Sequence, residues 1–216
     1  MNITGFQPNL VGSTDKSDNI FKQLASGKRV NSAADDAAGL AIIDRLSAEI
    51  DAQQRGAQNG YDGVSLTQTA DAAYSEIGEA SARIRELSVQ AGSGILNDGD
   101  RQAIQTEITG LTEHINTVAG QSNFAGIDLL SGNGNIGITL DGKSNIDVAT
   151  HDAAADLDGL GLNAIDVTTA AGAQRALGVL DSITEYVGTN RGELGATQNR
   201  LDSGIRNVQT QADNLA

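Results

Sequence analysis

Along this chain, apolar and small residues recur at alternating spacings of three and four over two long stretches. The first passes through Ile43, Leu46, Ile50, Gln53, Ala57, Gly60 and Val64, takes one irregular step, and resumes at Ala70, Ala73, Ile77, Ala80, Ile84, Leu87 and Ala91. Heptad-like recurrence of this kind predicts a long helix with one buried stripe, here over residues 34–92. Ser32 and the pair Asp35/Asp36 mark its start, because their oxygens suit the unpaired first-turn N–H groups and the positive end of the helix dipole. Gly92-Ser93-Gly94 ends it. In the middle, Gly56, Asn59, Gly60, Asp62 and Gly63 read equally well as a loop, since a helical glycine costs about 1 kcal/mol against alanine. The seam that passes in phase through Ala57, Gly60 and Val64 argues the other way. Unbroken, about 57 residues make a rod on the order of 85 Å long.

A second helix is predicted over 98–119, opened by Asn97-Asp98-Gly99-Asp100 and patterned by Ile104, Ile108, Leu111, Ile115 and Val118. Residues 120–150 change to a period of two. Ile136, Ile138 and Leu140 face Ile146 and Val148 across Asp141-Gly142-Lys143-Ser144, which is a β-hairpin signal. Residues 150–165 are small and acidic and read as loop. The helical period returns over 169–216, through Leu180, Ile183, Val187, Asn190, Leu194, Thr197, Leu201, Ile205, Val208, Ala212 and Leu215. The first stretch, residues 1–30, is weakly patterned and reads as an arm, with Ile20, Phe21 and Leu24 spaced for a short helical segment. The expected fold is mainly α: an elongated antiparallel helical bundle, a coiled-coil rod over 31–216, with a small β-hairpin element.

Composition sharpens this picture. Of 216 residues, 3% are aromatic, there is no Trp and one Pro, and Gly reaches 26, which suits helices packed along small-residue seams. The formal net charge of −14 disfavours nucleic acid and anionic membrane surfaces as partners. With no Cys there is neither a disulfide framework nor a thiolate metal site. Met1 to Leu10 lacks the basic and apolar regions of a secretory signal, and no apolar run is long enough for a membrane span, so no membrane insertion is expected.

Chemistry is sparse. The histidines, His114 and His151, belong to no metal-binding spacing, and no nucleotide-binding or nucleophile motif occurs, so the chain reads as no enzyme, with no catalytic residues and no cofactor. Asp98 and Asp100 invite a calcium reading, but the remaining ligands of a twelve-residue loop do not follow, and helix capping is favoured.

Several stretches together resemble bacterial flagellins: Leu24-Ala25-Ser26-Gly27-Lys28-Arg29-Val30-Asn31-Ser32-Ala33, Asp35-Asp36-Ala37-Ala38-Gly39-Leu40-Ala41-Ile42, and Arg83-Ile84-Arg85-Glu86-Leu87-Ser88-Val89-Gln90-Ala91. Gln105-Thr106-Glu107-Ile108, Asn123-Phe124-Ala125-Gly126 and Leu194-Gly195-Ala196-Thr197-Gln198-Asn199-Arg200-Leu201 extend the match, which covers residues 20–149 and 170–216 in the family's order. The resemblance implies a structural subunit of the flagellar filament, exported by the flagellar type III system without a cleavable signal peptide. Its partners would be other copies of itself, an export chaperone and a filament cap. The short middle implies a minimal flagellin, and the ending at Ala216 implies that the family's usual further C-terminal helix is missing.

The resemblance also implies recognition by Toll-like receptor 5 of some vertebrate hosts, with Arg83, Leu87 and Glu107 at the family's contact positions. An Arg and a Glu on adjacent helices around a leucine anchor form a plausible hot spot, although Leu87 also lies on the buried seam. Two alternatives stand beside the filament subunit. One is a hook–filament junction protein, which shares the Ser-Gly-Lys-Arg opening and the Arg-Glu-Leu segment. The other is a secreted, non-polymerising binding module or adhesin.

Overall fold

A computed structural model describes residues 36–132, 134–142 and 145–216, together with Ile20, Phe21, Leu24, Ala25 and Gly27. The rest of the arm expected over 1–30, and the capping positions Ser32 and Asp35, lie outside the described residues. The elements in order are helix α1 (Ala37–Ala91), helix α2 (Asp98–Gln121), strands β1 (Asn123–Phe124), β2 (Ile127–Asp128), β3 (Ile136–Thr139) and β4 (Asn145–Val148), helix α3 (Ala153–Gly159), a 3-10 turn (Leu162–Ala164) and helix α4 (Ala170–Leu215). The chain divides into two units, residues 52–211 and residues 1–51 with 212–216.

Within 52–211, α1 and α4 pack antiparallel: Gly60 lies against Ile205, Gly63 against Leu201, Gly78 against Val187 and Gly92 near Ala173. On α4 every seam position from Leu180 to Val208 is buried, the polar Asn190 and Thr197 included. On α1 the irregular step between Val64 and Ala70 is bridged by the buried Leu66 and Thr67. The α2 face of Ile104, Ile108, Ile115 and Ala119 closes a core with Ile77, Ile84, Leu180 and Ile183. A smaller cluster gathers Ala57, Leu140, Ile146, Leu201, Ile205 and Val208. Gln53 Nε2 donates to Gln211 Oε1 at 3.1 Å, a polar pair in the seam that penalises slipped registers of the two helices. In the unit of 1–51 with 212–216, the seam thins out. Ile43 is exposed, and Leu46, Ile50, Ala212 and Leu215 are only half-buried.

Helix α1 runs without a break through Gly56, Gly60 and Gly63. The reason is steric. A Cβ on Gly56 would stand 1.4 Å from the Leu140 carbonyl oxygen, and one on Gly60 would stand 3.0 Å from Leu140 Cδ2. Gly204 of α4 faces the same side chain, with Leu140 Cδ1 at 2.3 Å from its virtual Cβ, and Gly63 makes room for Ile138. The glycines are therefore a seat for the β3–β4 hairpin. Burying a leucine stabilises by about 1.5–3 kcal/mol, which offsets much of the helical propensity lost at the seat.

The hairpin pairs Ile136 with Val148 and Ile138 with Ile146. A smaller one, Asn123 with Asp128 and Phe124 with Ile127, turns through Ala125 and Gly126, both at positive φ (51° and 84°). The loop expected over 150–165 is corrected: it contains α3 and the 3-10 turn. Asp152 caps α3 by accepting from the Ala155 N–H at 3.0 Å, and Ala153, Leu157 and Leu162 are fully buried. Seven residues are too few to display a helical period in sequence.

Entry into α4 is organised by two side chains. Gln105 on α2 ties down the preceding segment, accepting from Val167 N–H at 2.8 Å and donating to the Ile165 carbonyl at 3.1 Å. Asp166 Oδ1 accepts from the Thr168 hydroxyl at 2.6 Å and the Thr168 N–H at 2.9 Å. These bonds, the hydroxyl first, hold the Asp166 carboxyl below its ordinary range. Its folded pKa thus lies below the unfolded one, so its stabilisation is present above about pH 4 and is lost as pH falls through the depressed value. Because the group is exposed, the effect is small. Melting the wild type and Asp166→Asn at neutral and acid pH should show a smaller acid loss in the variant, by on the order of 1 °C, and an equal loss contradicts this role.

Candidate interaction surface

The turn between α1 and α2 is built from the inside. Arg101, on the first turn of α2, donates to the carbonyls of Ala91 (3.0 Å), Leu96 (2.9 Å) and Ser93 (2.9 Å). One guanidinium thereby satisfies carbonyls left open where α1 ends and places positive charge at that negative pole. Asn97 and Asp100 form a reciprocal capping box, with Asp100 N–H to Asn97 Oδ1 at 2.9 Å and Asn97 N–H to Asp100 Oδ2 at 3.1 Å. The acidic residues here serve as caps. Among the described residues, no group of three His, Cys, Asp or Glu side chains converges as a metal site, and no helix is long and apolar enough to cross a membrane. Ile95 crowns the turn, 92% exposed.

Arg83 and Glu107 come together across α1 and α2. Arg83 Nη2 lies 2.9 Å and Nε 3.3 Å from Glu107 Oε1, while Nη1 reaches Glu86 Oε2 at 3.0 Å. The bond to Glu107, then that to Glu86, raises the Arg83 pKa further above its ordinary value. Leu87, one turn further along α1, is 3% exposed and belongs to the core. The accessible part of the trio is the ion pair, with the leucine packed inside as support.

Farther along, His114 Nε2 meets Glu76 Oε1 at 3.0 Å, joining α2 to α1. A groove of about 590 Å³ is lined by Asp71, Glu76 and Glu79, with Arg191 Nε 2.7 Å from Asp71 Oδ1. A second cavity, about 540 Å³, lies between α3 and α4. There the Tyr186 hydroxyl donates to Asp156 Oδ2 at 2.9 Å, and His151 Nε2 stands 3.3 Å from Glu193 Oε2. Tyr186 meets Tyr74 edge-on with centroids 6.2 Å apart. Burial above all, then the Tyr74 hydroxyl and Asp156, raises the Tyr186 phenol far above its ordinary pKa and keeps it a neutral donor. Sequence reasoning missed this grouping, because Asp156 fell in a stretch read as loop. The available signal was Glu185, Thr189 and Glu193, spaced by four along one face of α4.

Residues 5–135 match the family model for the bacterial flagellin N-terminal helical region. The chain is 32% identical to the 33 kDa flagellar filament core protein of Treponema phagedenis, over 97% of this chain and 80% of that one. It is 33% identical to a flagellin of Bacillus subtilis, over 95% of this chain and 79% of that one. Among solved structures, the flagellin of Bacillus cereus superposes with a TM-score of 0.63 at 27% identity, covering 74% of this chain and 93% of that one. A putative flagellar hook-associated protein from Vibrio parahaemolyticus reaches a TM-score of 0.75 at 17% identity, over 85% of this chain and 97% of that one, a likeness of fold. The chain belongs to the bacterial flagellin family, a structural, non-enzymatic family of the extracellular flagellar filament.

Proposed function

We propose that this chain polymerises as a structural subunit of a flagellar filament, delivered by the flagellar type III route with an export chaperone and a filament cap as partners. The observation that carries the reading is the 32% identity to a filament core protein over 97% of the chain. The hook–filament junction reading has short shared segments and a fold likeness at 17% identity, and lacks that support. The chain is further read as a short flagellin, because only α3 and the 3-10 turn stand between the hairpin and α4. Expression in a flagellin-deletion strain of the source bacterium is the test. A filament subunit appears outside the cell in sedimentable filaments and restores swimming. Export as a soluble monomer overturns the reading and favours a secreted binding module.

A receptor role is proposed for the same surface, through Arg83 and Glu107 with Leu87 as their support. An exposed arginine paired to a carboxylate on a rigid two-helix face suits a partner that re-pairs both charges. Arg83→Ala in purified monomer should leave the melting temperature nearly unchanged, since exposed ion pairs contribute about 0–1 kcal/mol. It should lower activation of Toll-like receptor 5 reporter cells by about tenfold. A silent wild type, or a fully active Arg83→Ala, overturns the role.

A further inference from the structure

We propose that Tyr74 and Tyr186 form an oxidative cross-linking site, where a one-electron oxidant joins α1 to α4 through a dityrosine bond. The two rings meet edge-on with centroids 6.2 Å apart, and their hydroxyls interact. Tyr186 is half-buried on the wall of the cavity between α3 and α4, so a small oxidant reaches it from solvent. Tyr74 is 3% exposed and is shielded from other molecules. The tyrosine within reach of an oxidised Tyr186 is therefore Tyr74 of the same chain.

Two further observations favour oxidation at this pair. The Tyr186 hydroxyl donates to Asp156 Oδ2 at 2.9 Å, so a base already holds the proton that oxidation must release. Asp156 is exposed and passes that proton on to water. The chain also has no Trp and no Cys, and its one Met is Met1, which leaves tyrosine as the readiest one-electron donor. Of the three tyrosines, Tyr61 is 53% exposed and sits about 20 Å along α1 from Tyr74, out of reach of the pair.

The chemistry balances with two equivalents of an oxidant of the peroxidase or photoexcited-metal class. The first takes an electron from Tyr186, whose phenolic proton moves to Asp156 and leaves a neutral tyrosyl radical. Tyr74 then passes a hydrogen atom to that radical, and the second equivalent oxidises Tyr186 again by the same route. The two radicals combine through a carbon ortho to each oxygen, forming one C–C bond. The ortho hydrogens shift to the oxygens as the rings regain aromaticity. The chain loses two electrons, taken up by the oxidant, and two protons, taken up by water. The bond fixes α1 against α4 in the folded monomer and does not depend on the filament reading.

The test is brief illumination of the dilute full chain with tris(bipyridine)ruthenium(II) and persulfate, followed by proteolysis and mass spectrometry. A peptide pair joined at Tyr74 and Tyr186, lighter by two hydrogen atoms, is expected at a yield independent of chain concentration. The cross-linked monomer should melt about 5–10 °C higher, because the bond restricts the unfolded chain. Asp156→Asn keeps an acceptor of the same shape but removes the base, and should slow cross-linking by about tenfold. Tyr61→Phe should leave the yield unchanged, while Tyr61 in the wild type reports that the oxidant is active. Oxidised Tyr61 without the Tyr74–Tyr186 pair overturns the inference, as does an unchanged rate in Asp156→Asn. A cross-linked chain that melts no higher contradicts a bond made in the native arrangement.

Discussion

Gly56→Ala is expected to destabilise the chain by about 3 kcal/mol or more, a fall in melting temperature of roughly 6–12 °C. The added Cβ would stand 1.4 Å from the Leu140 carbonyl oxygen, a backbone atom that no rotamer change can move aside. Either α1 bends away from the hairpin or β3–β4 leaves its seat and uncovers Leu140, Ile146 and Ile205. Gly188→Ala is the control. It lies on α4 with open space at its virtual Cβ, and removing a helical glycine there should stabilise by about 0.5–1 kcal/mol. Thermal unfolding followed by helical circular dichroism separates the two. Equal responses at both glycines would contradict the seated hairpin.

The second large effect is expected at Arg101. Its side chain is 11% exposed and carries hydrogen bonds to three carbonyls at the end of α1 and in the turn after it. Arg101→Ala removes the charge and leaves those acceptors unpaired, a loss of about 2–4 kcal/mol. Hydrogen exchange should report accelerated opening of the last turn of α1 and of residues 92–97, with the far end of α1 unaffected. Arg101→Lys should recover only a fraction, because an ammonium cannot fork toward three fixed carbonyls. Full recovery in the lysine variant would show that charge alone suffices.

These two sites also mark where the sequence stopped being readable. The α4 seam was legible because each turn repeats the same demand, one apolar or small residue facing α1, and every position from Leu180 to Val208 is buried. The hairpin register was legible from the alternation of Ile136, Ile138, Ile146 and Val148. The glycines of α1 were not, because what decides between loop and helix is Leu140, far along the chain. Helix α3 was too short to show its period, and its cap Asp152 looked like one more acidic loop residue. Nothing in the sequence marks Arg101, because its three carbonyl partners converge only once the turn after α1 is folded.

For the interaction surface, the sequence singled out Arg83, Leu87 and Glu107 only through a resemblance. That Arg83 and Glu107 touch depends on the register between α1 and α2, which Ile104 and Ile108 fix by packing into the core. The Leu87 seam position correctly implied a buried side chain. The cavity between α3 and α4 is illegible in sequence because Asp156 and Glu193 line it together only once α3 is folded.

Electron microscopy of the purified chain mixed with sonicated filament seeds from its own source tests most directly whether it is a filament subunit. Growth of the seeds with chain concentration, in the helical lattice of the seed, is the predicted result. Seeds that stay at their starting length at every chain concentration would contradict it.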